Sequence, residues 1–151
     1  MLSHLQQFLS KYIWVFFIVA LLGFADATFL SVEHYRGEIP PCSLTGGCEK
    51  VTTSEYSTIL GVPVAYTGFL YYLTVLVLLV LFVDLKKKII VKGLYALTTI
   101  GFLFSLYFTF LQFFVIKAIC PYCLFSAGTS TILFLLCVWG TRSNKARNEL
   151  L

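Results

Sequence analysis

The 151-residue chain is 59% hydrophobic and only 12% charged, with a net charge of +4 at pH 7; a soluble globular domain carries about twice that charged share. This balance excludes an ordinary soluble fold, and no basic-aromatic pattern of the kind that grips nucleic acid accompanies the positive charge. A chain of this size is expected to form a single domain over residues 1–151.

A helix needs about 20 mostly apolar residues to cross roughly 30 Å of hydrocarbon. Four runs meet that length: Tyr12 to Val32, Val64 to Val83, Leu94 to Ile116 and Pro121 to Trp139. The expected fold is an all-α integral membrane protein, a bundle of four transmembrane helices. In the first span, Ala25-Asp26-Ala27 imitates a signal-peptide cleavage site, but apolar character resumes at Thr28 to Val32 and the leading segment is thinly charged, so the span reads as a retained helix. Asp26 is expensive in lipid, which makes it a functional candidate; a pairing with His34 two turns on, or a place near the interface, suits it equally.

The link from Glu33 to Pro63 is long for so small a protein, and such loops are functional or disordered. Its first half, with Gly37, Pro40, Pro41, Gly46 and Gly47, is turn material. Its second half, TTSEYSTIL, opens on Thr/Ser and ends before Gly61 and Pro63, which predicts a short helix lying as a lid on the membrane surface. Spans two and three are joined through DLKKKIIVKG, and spans three and four through Lys117 to Cys120 alone, so these neighbours should be antiparallel.

Lysine and arginine set the orientation. Lys11, the run Lys86 to Lys88 with Lys92, and Arg142, Lys145 and Arg147 fall on one side of a four-span chain, against Arg36, Lys50 and Lys117 on the other. Both termini are therefore expected in the cytoplasm, and the long loop and the CPYC motif outside it.

Cys42, Cys48, Cys120 and Cys123 then share the disulfide-permissive side. Pro121 suits the first position of a helix, which puts Cys120 at its N-cap, where the helix dipole, free N–H groups and Lys117 favour a thiolate. Cys123, nearly one turn on, shares that face and points deeper. The pattern admits exchange chemistry, two structural staples (Cys42 to Cys48 and Cys120 to Cys123), or a four-thiolate metal site that no histidine or carboxylate cluster supports. Cys137, near the other end of its span, reads as an apolar filler.

The order of a first span, CSLTGGC, then VTTSEYSTILGVPVAYTG, then CPYC at the fourth span resembles the bacterial branch of the vitamin K epoxide reductase family, from about Gly23 to Ser126. The functionally similar quinone-linked periplasmic thiol oxidases of the DsbB type place their CxxC before the spaced pair, the reverse order. The resemblance implies a four-helix bundle around a quinone, with electrons entering from a thioredoxin-fold, DsbA-like partner. Cys42 would take electrons from that partner, Cys48 would pass them to Cys120, and Cys123 would face the quinone.

Ser54 and Tyr56 from the lid, Gln112 from span three and Asp26 are the candidates to contact the quinone, with helix capping for Ser54 and helix–helix bonding for Gln112 as alternatives. Animal members carry a tyrosine where this chain has Ala127, and an asparagine near the start of span two that has no counterpart here. Ubiquinone or menaquinone, rather than an epoxide, is thus the expected acceptor. The chain ends shortly after span four, so a separate partner protein is expected. The predicted function is quinone-linked oxidation of thiols, supporting disulfide formation in exported proteins from a bacterial inner membrane. A non-catalytic membrane protein with structural disulfides or bound metal is the alternative.

Overall fold

Long apolar runs without internal proline form helices here wherever the backbone can satisfy itself, as lipid demands. The computed structural model describes residues 2–38 and 47–148, the side chains of Leu2, His4 and residues 143–148 excepted. Helix α1 spans Leu2–Arg36 and is kinked at Tyr12, where φ is −111° and ψ 21°. Before the kink, Leu5 and Leu9 lie one turn apart and are fully buried.

After α1 come a short helix α2 (Gly47–Thr52), a 3-10 turn (Glu55–Ser57) and a small hairpin of β1 (Thr58–Ile59) and β2 (Val62–Pro63). Then follow α3 (Val64–Leu85), α4 (Lys88–Phe110) continued by a π turn (Leu111–Ile116), and α5 (Pro121–Asn148). Among the described residues four helices, α1, α3, α4 and α5, are long and apolar enough to cross a membrane. The protein is an all-α, multi-pass membrane bundle.

The lid differs from the predicted helix over TTSEYSTIL. The hydroxyls of Thr52, Thr53 and Ser54 donate back to the carbonyls of Cys48 (2.7 Å), Glu49 (2.6 Å) and Val51 (2.8 Å). They close the preceding helix α2 instead of opening a new one, the competing use that short hydroxyl side chains make of nearby backbone. Thr58 and Ile59 then pair antiparallel with Pro63 and Val62 around Leu60 and Gly61, whose φ values are 52° and 82°. Two successive positive φ angles make the tight hairpin turn that matches strand twist.

The α3–α4 link is also shorter than the polar DLKKKIIVKG stretch suggests. Lys86 caps α3 with φ 48° and its N–H on the Phe82 carbonyl, and α4 starts at Lys88. Helical bonding continues past the hydrocarbon edge, and the Gln6 side-chain amide donates to the Lys86 carbonyl at 2.7 Å, tying α1 to this corner.

The core runs along the bundle axis through Phe16, Ala20, Tyr72, Val75, Leu79 and Leu133. Two glycines permit close crossings, as small residues do between membrane helices. The Tyr72 ring occupies the space a side chain on Gly23 would need, and the Tyr71 ring does the same at Gly101. At the end away from the cysteine motif, Phe8 and Leu5 fill the space beside Gly140.

Candidate redox site

The CPYC motif forms the start of α5 much as Pro121 predicts. Cys120 is the N-cap: its carbonyl accepts the Leu124 N–H at 3.1 Å, and its Sγ accepts the Cys123 N–H at 3.5 Å. A sulfur here takes the place of the oxygen that usually satisfies the third N–H of a helix. The Cys120 N–H is in turn held by Gln112 Oε1 at 3.1 Å. Gln112 can reach because the π turn rotates it inward; π turns are frequent at functional sites. Its backbone carbonyl accepts the Ala118 N–H at 3.1 Å, and Lys117, at φ 52°, then redirects the chain toward α5.

Cys120, Cys123 and Cys137 are free thiols, while Cys48 is disulfide-bonded. The Cys123 thiol beside Cys120, helped by the N–H groups of Cys123 and Tyr122, holds the Cys120 thiol down at about 7 against the opposing effect of burial. The sign favours reaction: above that pH Cys120 is mostly thiolate, the attacking form in exchange. Thiolate absorbance of the reduced protein should therefore rise with a midpoint near pH 7, and Cys123→Ala should move that midpoint up toward the ordinary cysteine range of about 8.5. An unmoved midpoint would assign the effect to the helix end instead.

Helix α2 brings Cys48 to this site. Cys48 and Cys120 are both fully buried, and their sulfurs lie 3.6 Å apart. The approach depends on Gly47, because a Cβ there would stand 2.5 Å from the Ile119 carbonyl oxygen and 2.8 Å from the Ile119 nitrogen. The sequence suggested only a turn at Gly46 and Gly47; a glycine immediately before a reactive cysteine was the available signal for close backbone contact. Cys42 lies outside the described residues.

Behind Cys123 is a cavity of about 450 Å³ bounded by α1, α2, the lid, α3, α4 with its π turn, and α5, within the size of small-molecule sites. Most of its wall is apolar. Cys123, Ser54, Tyr56 and Gln112 line it, so the structure brings together three of the four residues expected to contact a quinone. Gln112 uses its side-chain oxygen to accept the Cys120 N–H and also lines the cavity. Ser54 also serves as an α2 cap, as above.

Asp26 is the exception, since it does not line the cavity. Its Oδ2 is buried without a hydrogen-bond partner, and its carboxylate lies within electrostatic reach of Tyr72 on α3 and of Cys120 and Cys123; the pairing with His34 is not made. Cys137 is buried in the core, in keeping with an apolar filler. Tyr72, which the sequence did not single out, ties α3 to α5: its hydroxyl donates to the Ser126 carbonyl and is hydrogen-bonded with the Thr129 hydroxyl, both at 2.7 Å. A tyrosine in mid-span was its only sequence signal.

The cavity suits a quinone in size, apolar walls and sparse polar groups, and a thiol opens onto it. On the other side of the motif, the Cys48 sulfur lies next to that of Cys120. Residues 14–138 match the model of the Vitamin K epoxide reductase family, and the chain belongs to that family: it is a membrane thiol–disulfide oxidoreductase linked to a quinone.

Proposed function

We propose that the protein relays electrons from a thioredoxin-fold partner, through Cys42 and Cys48, to Cys120 and Cys123 and on to ubiquinone or menaquinone, so regenerating an oxidant for disulfide formation in exported proteins. The observation that carries this reading is the 3.6 Å separation of the Cys48 and Cys120 sulfurs, with Cys123 opening onto the cavity behind them.

In the forward direction a Cys48 thiolate attacks Cys120 of a closed Cys120–Cys123 disulfide. A Cys48–Cys120 bond forms and Cys123 leaves as thiolate, to be protonated at the expense of the Cys42 thiol that reacts next. Cys42 then attacks Cys48, and Cys120 leaves as thiolate, which its place at the helix N-cap favours. The CxxC pair now carries two electrons. Gln112, Ser54 and Tyr56 are the residues that would orient the quinone head group, and half-exposed Leu70 and Phe104, which also line the cavity, leave an apolar tail a way out between α3 and α4. When bound, the quinone supplies the oxidising power by taking up two electrons and two protons. The lysine and arginine asymmetry supports a topology with both cysteine pairs on the extracytoplasmic face of a bacterial inner membrane and both termini in the cytoplasm.

The test is trapping in membranes. With Cys42→Ala, the Cys48–Cys120 bond cannot be resolved and should accumulate, seen by non-reducing gel and mass spectrometry after thiol blocking. It should vanish when Cys120 is also replaced. A Cys48 that stays a free thiol beside a closed Cys120–Cys123 bond under every redox condition would defeat the relay.

A further inference from the structure

Oxidising two thiols releases two protons, and Cys123 lies within a largely apolar wall where water cannot be assumed to collect one. The face of α1 opposite Cys123 can be located from its contacts. Residues three apart share a helix face. Gly23 abuts the Tyr72 ring, whose hydroxyl bonds Ser126, and Phe29 packs on the Tyr122 ring at 5.4 Å between centroids. Asp26 lies midway along α1 between Gly23 and Phe29, which sets it at the level of the Ser126 to Tyr122 turn of α5, and it is within electrostatic reach of Cys123.

Its Oδ2 is shielded from solvent and receives no hydrogen bond. A buried polar atom left without a partner is costly and calls for a reason, and an acid within a membrane span even more so. The titratable groups within its electrostatic reach are Tyr72 of α3 and Cys120 and Cys123 at the start of α5; no cation among the described residues balances it. Tyr72 is already committed to Ser126 and Thr129.

We infer that Asp26 is the proton acceptor for the Cys123 thiol. The Cys123 S–H bond breaks and an O–H bond forms on the Asp26 carboxylate. The Cys120–Cys123 disulfide then closes as two electrons pass to the quinone, which takes up one proton from the Asp26 carboxyl, returning it to carboxylate, and one from solvent. This assignment rests on the proposed function, and adds a residue outside the cavity that sets when Cys123 can react.

The experiment compares wild type, Asp26→Asn and Asp26→Glu over a range of pH by two readouts: alkylation of Cys123 in reduced, quinone-free protein, resolved by mass spectrometry, and reduction of a short-chain ubiquinone. Loss of a positioned base costs about 10²-fold or more, so both rates should fall by that factor in Asp26→Asn near neutral pH. The deficit should narrow as pH rises and hydroxide takes over, and Asp26→Glu should recover part of the rate. An Asn variant whose alkylation profile superimposes on wild type, or whose rates are lowered equally at every pH, overturns the assignment. A wild-type protein that reduces no quinone overturns the function beneath it, while the alkylation profiles still decide for or against Asp26.

Discussion

Gly47→Ala should slow formation of the Cys48–Cys120 bond by about 10²-fold, the penalty that a misplacement of roughly 1 Å exacts on a reaction between positioned groups. The added methyl would stand 2.5 Å from the Ile119 carbonyl oxygen, a contact that backbone cannot relieve by changing a rotamer. Overpacking of this kind costs about 1–3 kcal/mol. Helix α2 is short and lies outside the membrane-spanning bundle, so it should shift away and carry Cys48 with it while the spans hold. The measurement is the rate of mixed-disulfide accumulation in a Cys42→Ala background, with membrane yield and helicity as controls. An undiminished rate with intact helicity would mean that the 3.6 Å sulfur separation does not depend on the glycine.

Cys123→Ser should abolish quinone reduction, a loss of at least about 10³-fold, since a serine oxygen gives neither a stable thiolate-like donor nor a disulfide partner. The same variant should accumulate the Cys48–Cys120 bond once the loop pair is made to exchange, because Cys120 retains its place 3.6 Å from Cys48. Cys120→Ser is the contrasting case: it should lose quinone reduction driven by the partner and form no bond to Cys48. Equal behaviour of the two variants would refute the order of the relay. Their difference follows from the walls each sulfur faces, for Cys123 lines the cavity and Cys120 does not.

The four spans were legible because length and hydropathy report the hydrocarbon thickness directly. Their helical ends were not, since α1 begins at Leu2 and the α3–α4 link shrinks to Lys86 and Lys87. Apolarity marks where lipid is, whereas backbone hydrogen bonding continues beyond it. The N-cap at Cys120 was legible through Pro121, which fixes where a helix can start. The inward faces were not, because a membrane helix is apolar all round and its periodicity does not say which side meets its neighbours. Ser54, Tyr56 and Gln112 were chosen for their chemistry and do line the cavity, whereas Asp26, chosen by the same logic, does not, and its Oδ2 is buried without a partner. The lid was misread because hydroxyl side chains that open a helix also close one, and only the contacts of Thr52, Thr53 and Ser54 decide between the two.

Cys120 turns its sulfur to α2, and Cys123, three residues on, opens to the cavity. In the proposed relay that short step would work as a bulkhead between two solvents. Only electrons and protons would cross it, so a reductant dissolved in lipid and a reductant dissolved in water would never share a reaction vessel. The bundle would thus keep a pool of quinol from undoing the disulfides whose formation its own oxidised form drives.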